Sequence, residues 1–197
     1  MNSVILYCTI TFLLFSGCQK SGNVVNGHQL STSTSFIKYT IRKGEQYSDQ
    51  SSLKTVEMSE MKFVVKFDST AIYQTISAEN QNDINKLYGF SDNNSAHHQY
   101  SARFGWRWSS NFLRLFAYIY NEGVVSSKEL AIISIGAEVT CSMQVTNSSY
   151  LFTVNGVTER LPRMASTSKG QGYQLYPYFG GDEAAPHDVY IWIKPVL

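Results

Sequence analysis

Cysteine is nearly absent from this chain: there are three in 197 residues, Cys8, Cys18 and Cys141. Cys8 lies inside an N-terminal apolar run and Cys18 just after it, which leaves Cys141 alone in the body of the chain. That arithmetic excludes a disulfide framework, so a domain built here must rely on its buried core. A long apolar run is missing as well. The stretch from Val4 to Phe15 is about a dozen residues, whereas a helix needs roughly 20 to cross a bilayer core of ~30 Å. Neither sign of charge dominates, with 16 Lys and Arg against 15 Asp and Glu. No basic patch is dense enough for nucleic acid, and no acidic tail forms a solvated brush. The spacing His-x-x-x-His, which would suit zinc, does not occur.

What is present begins at the N-terminus. The apolar run meets a small pair, Ser16-Gly17, and then Cys18. This is the layout of a bacterial lipoprotein signal peptide, in which small residues precede the cut and the thiol takes a diacylglycerol. Two details depart from that layout. Met1-Asn2-Ser3 carries no Lys or Arg, and Phe15 stands where leucine is usual. A plain secretory signal cut elsewhere is the alternative. The expectation is that residues 1–17 are removed and Cys18 is acylated. One acyl chain holds a protein only marginally, so the two or three chains of a lipoprotein cysteine imply lasting attachment. Gln19 to Ser35 is rich in Ser, Thr, Gly and Asn and reads as a flexible tether, so residues 18–35 form the lipid-bearing linker. Residues 36–197 then form one domain in the bacterial cell envelope, anchored to the outer membrane on its periplasmic or its outer side.

The domain's patterning has the two-residue period of strands. Met61 to Phe67 is the clearest case, with Met61, Phe63, Val65 and Phe67 on one face. Phe36–Arg42, Tyr100–Trp108, Phe112–Tyr120, Leu130–Ile135, Glu138–Val145, Tyr150–Val154 and Val189–Lys194 are further candidates. Asn155-Gly156 is a hairpin signal, because both residues accept positive φ. Only Asn80 to Tyr88 reads as a short helical turn. Eight or more short strands with turns between them predict an all-β antiparallel sandwich or barrel.

Three of these strands pair an apolar face with one bearing Arg, Tyr or Trp. Leu113, Leu115, Ala117 and Ile119 oppose Arg114, Phe116, Tyr118 and Tyr120. Val189, Ile191 and Ile193 oppose Tyr190, Trp192 and Lys194, and Phe104, Trp106 and Trp108 oppose Ser101, Arg103, Gly105 and Arg107. Stacked sheets bury the first face of each. The second becomes a platform of rings and cations, drawing on 13 Tyr, 11 Phe and 3 Trp in the chain.

The run Phe112-Leu113-Arg114-Leu115-Phe116-Ala117-Tyr118-Ile119-Tyr120-Asn121-Glu122-Gly123 resembles the central strand and turn of concanavalin A-like and laminin G-like jelly rolls. Tyr150-Leu151-Phe152-Thr153-Val154-Asn155-Gly156 is similar to a later strand of the same family. The resemblance implies an antiparallel jelly-roll β-sandwich of two packed sheets, with a concave face that often binds carbohydrate. The Glu-x-Asp-x-x-Glu run of its glucanases is missing, and the lectin calcium pattern is not legible. Two other segments, Asn82 to Asp92 and Tyr176 to Asp188, resemble stretches of bacterial lipoproteins with no assigned activity.

Three sets of residues are candidates for chemistry. Arg107, Arg114, Tyr118, Tyr120, Tyr190 and Trp192 form the ligand-binding candidate, since sugar rings stack on aromatic rings and Arg pairs with carboxylates. Arg107 and Arg114, with Arg103 on the same outward face, favour an acidic polysaccharide; the candidates also suit a merely covered sheet face. Asp182, Glu183, His187 and Asp188 are the metal candidates, with calcium as the ion, beside the plainer reading of a loop pinned through backbone amides. His98, Arg103 and Tyr118 are the catalytic candidates, for a lyase in which Arg neutralises a uronate carboxylate while His or Tyr takes the adjacent proton. His97-His98, read as strand neighbours, would point to opposite faces. The sequence reading is therefore a lipoprotein whose jelly roll binds a glycan or surface polymer without catalysis and without a required cofactor. A lyase or hydrolase, and an assembly lipoprotein that binds another envelope protein, are the alternatives.

Overall fold

The computed structural model describes residues 35–196; the signal peptide, Cys18 and most of the tether lie outside them. Twelve strands follow one another: β1 (Ile37–Ile41), β2 (Thr55–Met58), β3 (Glu60–Phe67), β4 (Asn85–Ser91), β5 (Ser101–Ser109) and β6 (Phe112–Asn121), then β7 (Val124–Ile133), β8 (Val139–Val145), β9 (Ser149–Val154), β10 (Val157–Pro162), β11 (Gly170–Leu175) and β12 (Val189–Val196). They form two six-stranded sheets, in the orders β1-β12-β3-β8-β9-β10 and β2-β11-β4-β5-β6-β7. Every pairing within them is antiparallel. The domain is an all-β jelly-roll sandwich.

Alternation places the core. Phe63, Val65 and Phe67 of β3 are buried, as are Phe104 and Trp106 of β5 and Ile191 and Ile193 of β12. Rings from the two sheets meet across the interior: Phe63 and Phe104 at 5.3 Å, Phe104 and Phe152 at 5.1 Å, Phe67 and Trp106 at 5.3 Å. The first two pairs are near edge-to-face, the arrangement that matches a ring's positive edge to its neighbour's negative face. The core thus contains aromatic layers, which compensates for the missing disulfides.

Each strand read from alternation is present. The one helical expectation is corrected: a 3-10 turn covers only Ala78–Asn82, and Asn85 onward is β4. The cause is a bulge. Lys86 pairs with Gly105 and Tyr88 with Phe104, which leaves Leu87 as the extra residue. Leu87, Tyr88 and Phe90 are all buried, so the apolar positions lose their two-residue period and mimic helical spacing. Sequence reading also missed β11, Gly-Gln-Gly-Tyr-Gln-Leu, which has little apolar alternation. Its glycines answer to packing instead. A Cβ at Gly172 would collide with Ser91 of β4.

One polar cluster ties the sheets together. Asp92, just after β4, and Arg163, just after β10, are both fully buried and joined at 2.8 Å from Arg163 Nε to Asp92 Oδ2. The Tyr150 hydroxyl of β9 donates to the same oxygen at 2.6 Å. The other carboxylate oxygen accepts the backbone N–H of Asn93 at 2.7 Å and of Gln171 at 3.1 Å. Arg163 in turn donates to the carbonyls of Thr167 at 2.6 Å and Lys169 at 2.9 Å. Burial alone would raise the Asp92 carboxyl, but the bonds from Arg163, Tyr150, Gln171 and Asn93 outweigh it and hold it below its ordinary range.

Removing one partner of such a pair leaves the other charge buried and unmatched, at a cost of ~3–5 kcal/mol. Asp92→Ala is expected to lose about that much in urea unfolding. Because the folded pKa is depressed, the carboxylate's contribution is full above the unfolded value of ~3.9 and is lost as pH falls through the folded one. The variant should lack that acid-dependent step.

Candidate functional site

The sheet β2-β11-β4-β5-β6-β7 carries a groove of about 510 Å³ on its outer face. Its floor follows from register. Gly89 of β4, Arg103 of β5 and Tyr118 of β6 stand side by side across three strands. Gly89 is needed because a Cβ there would collide with the Cβ of Arg103. Arg103 is therefore free to lie over β4. The β4 bulge turns Lys86 toward the same side while it sends Leu87 and Tyr88 into the core.

Two cations meet over one ring. The Arg103 guanidinium lies 5.3 Å from the centroid of Tyr118, and Lys86 Nζ lies 4.8 Å from it. Neither side chain makes a hydrogen bond or an ion pair among the described residues, and the buried Nε of Arg103 has no acceptor. Burial lowers the pKa of Arg103. Burial, aided by the charge of Arg103, brings Lys86 down to about 8, with Asp83 partly offsetting both. Among the described residues, none that lines the groove is a carboxylate. Arg103 is thus buried, and Lys86 half-buried beside it, with no ion-pair partner among the described residues, a costly state for the guanidinium that an anion would relieve.

Rings and imidazoles build the walls. Tyr118 and Tyr120 pack at 5.9 Å, and burial with the neighbouring Tyr120 pushes the Tyr118 hydroxyl up to about 12. His97 and His98 sit in a turn before β5, with their rings 4.2 Å apart and both facing the groove. The expectation that they point to opposite faces is corrected, because a turn does not impose the alternation of a strand. The Tyr173 hydroxyl of β11 accepts the His97 backbone N–H at 3.1 Å and lies 2.8 Å from its Nδ1. Burial first, then Arg103 and His98, lowers the His97 pKa to about 4. The imidazole is neutral at physiological pH. The rim adds Tyr47, Leu53, Tyr176 and Tyr178, with Tyr47 and Tyr178 edge-to-face at 4.8 Å.

The sequence candidates are only partly brought together. Tyr118, Tyr120, His98 and Arg103 all line the groove. Arg107 lies farther along β5, donates to the Asn82 carbonyl at 2.6 Å and covers the Phe116 ring at 4.7 Å. Its cross-strand neighbour Arg114 is paired with Glu129 at 2.8 Å. Tyr190 and Trp192 belong to β12 in the other sheet. The single platform expected from Arg107, Arg114, Tyr118, Tyr120, Tyr190 and Trp192 is corrected on that ground. Local alternation places a residue inside or outside the sandwich but does not say on which of its two outer faces. Lys86, Tyr173 and His97 are among the groove residues that the sequence reading did not single out as binding.

The proposed cation loop is corrected too. Glu183 accepts the backbone N–H groups of Ile76 and Ser77 and the amide of Asn80, each at 2.8 Å, and these bonds hold its carboxyl below the ordinary range. Asp188 accepts the Lys43 N–H at 2.8 Å, and His187 Nε2 donates to the Thr70 carbonyl at 2.9 Å. These side chains fasten neighbouring loops, and together with Asp182 they do not converge. Among the described residues no three His, Cys, Asp or Glu side chains group as metal ligands.

No protein-family model matches the chain. No curated protein matches it either. Solved structures do. The marine PL7 alginate lyase AlyA1 from Zobellia galactanivorans aligns over 88% of this chain and 83% of its own, with a TM-score of 0.52 at 10% identity. The laminarinase catalytic domain from Thermotoga maritima aligns over 81% and 75%, with a TM-score of 0.47 at 11% identity. A Bacteroides ovatus GH16 protein of a mixed-linkage glucan locus aligns over 83% and 82%, with a TM-score of 0.45 at 12% identity. At such identity the likeness to the Zobellia protein is one of fold alone, a jelly-roll β-sandwich.

Proposed function

We propose that the protein is an envelope lipoprotein, held in the outer membrane by acylated Cys18, whose groove binds an acidic polysaccharide. The observation that carries the binding half is the buried Arg103 with the half-buried Lys86, both over Tyr118, in a groove whose described lining residues include no carboxylate. A uronate carboxylate supplies the missing partner for both cations. Its ring would stack on the tyrosines. The membrane half rests on the run from Val4 to Cys18.

A second reading is favoured by the neighbours of Arg103. His98, Tyr118 and the neutral imidazole of His97 line the groove around that guanidinium, so a bound uronate would lie among proton acceptors and donors. Elimination needs the carboxylate neutralised while the proton beside it is withdrawn. The Zobellia protein with this fold is an alginate lyase, so turnover belongs in the same assay as binding.

Polyuronates such as alginate and polygalacturonate are expected to bind, and a neutral glucan is not. Arg103→Ala should weaken binding about 10- to 100-fold in calorimetry, the range of a charge-assisted hydrogen bond worth ~1.5–3 kcal/mol. Equal affinity for neutral and acidic polymers would overturn the reading. Absorbance of an unsaturated uronate product distinguishes elimination from binding alone.

Affinity should also depend on pH. Lys86 is charged below about 8 and loses its proton above it, so binding is full at neutral pH and falls through the alkaline side. A bound carboxylate moves that midpoint higher. Lys86→Met should remove the alkaline step in binding curves taken across pH. For the anchor, Cys18→Ser should abolish metabolic labelling with fatty acid and release the protein from washed membranes.

A further inference from the structure

The other sheet carries a different surface. Along β1, β12 and β3 its outer face presents Lys38, Lys62, Lys66 and Lys194, with Phe36, Tyr190 and Trp192 between them. Lys38 Nζ lies 3.6 Å from the Tyr190 centroid and 5.7 Å from that of Trp192. Lys66 Nζ lies 5.7 Å from Trp192 and 5.2 Å from Phe36, and Lys194 Nζ lies 4.9 Å from Phe36. None of the four lysines has an ion-pair partner among the described residues. The six strands of this sheet contain only two acids, Glu60 and Glu159, and Glu159 is already paired with Lys128.

We propose that this face docks on an anionic phospholipid bilayer. The inference deepens the reading of Cys18 as a lipid anchor and rests on it. Charge complementarity selects an anionic surface, since four unpaired lysines share one face of a sheet. Trp192 and Tyr190 add rings suited to the headgroup layer, with an apolar body and a polar tip. The position of the chain selects a membrane over a soluble polymer. Phe36, where the tether ends, packs beside Lys66 and Lys194, so the tether leaves from the edge of this face. Seventeen residues separate Cys18 from Phe36, and a Ser-, Thr- and Gly-rich stretch of that length would reach ~20–25 Å on average. Anchoring therefore holds the face at high effective concentration over the lipid, where weak attraction suffices. The groove belongs to the other sheet and stays open when this one is seated.

The test uses the full acylated chain in vesicles of phosphatidylcholine, with or without phosphatidylglycerol. Tryptophan quenching by lipids labelled at the headgroup is the readout. Trp106 is buried and Trp108 lies in the other sheet, so Trp192 is the reporter, and Trp192→Phe should erase the signal. Quenching is expected to be several-fold stronger with phosphatidylglycerol and to fall with added salt. It should fall again in Lys66→Gln and Lys194→Gln. Unchanged quenching across lipids and salt in a chain that stays anchored would overturn the proposal and leave the anchor reading intact. The Cys18→Ser chain separates the two ideas. Its sedimentation with phosphatidylglycerol vesicles should exceed that with phosphatidylcholine by about fivefold per lysine engaged. A Cys18→Ser chain indifferent to lipid charge counts against docking whatever becomes of the anchor. Protection of Trp192 by soluble polygalacturonate at concentrations that leave vesicle binding unaltered would assign the face to a polymer instead, which also overturns it.

Discussion

The buried pair of Asp92 and Arg163 is the interaction on which the arrangement of this domain turns. Its carboxylate holds the end of β4, the start of β11 and, through Tyr150, a strand of the opposite sheet. Its guanidinium gathers the loop from Arg163 to Lys169. A charge out of water tolerates few geometries, so every donor and acceptor around it is committed. The apolar core would accept small slips of one sheet over the other. This cluster resists them, and it seats β11 against β4, where Tyr173 becomes a wall of the groove.

The groove shows the opposite treatment of buried charge. Arg163 is fully matched, whereas Arg103 and the half-buried Lys86 beside it have a tyrosine face and no ion pair among the described residues. A ring quadrupole stabilises a cation less than a carboxylate does. The low pKa values of Lys86 and His97 follow from the same cause, since positive charge here is crowded and poorly solvated. A ligand that brings negative charge relieves the crowding, which ties the electrostatics of the floor to the polymer it would hold.

The two outer faces of the sandwich hold their cationic side chains in different settings. One face is concave and aromatic, with its cations sunk among rings. The other is an open sheet with lysines standing over Tyr190 and Trp192 beside the point where the tether enters. The proposed docking of the second face would leave the first directed away from the lipid, since the two lie on opposite sides of one core.

Much of the fold was legible in the chain itself. Met61 to Phe67, Phe112 to Tyr120 and Val189 to Lys194 alternate cleanly, and burial of one face is enough to define each as a strand. The signals failed where local pattern and packing parted: the bulge at Leu87 broke the period of β4, and the glycines of β11 answer to Phe90 and Ser91 rather than to any apolar rhythm. The site was half legible. Tyr118, Tyr120, His98 and Arg103 were found because outward Arg and aromatic residues stand out on amphipathic strands. Lys86, His97 and Tyr173 were not singled out as binding, and Tyr190 and Trp192 were placed with the wrong neighbours. The sequence by itself determined which residues face inward, because burial depends on the side chain and its two-residue period. Only the tertiary structure decided which outward residues meet, because strand order and the choice of sheet are set by long-range pairing that no local period encodes.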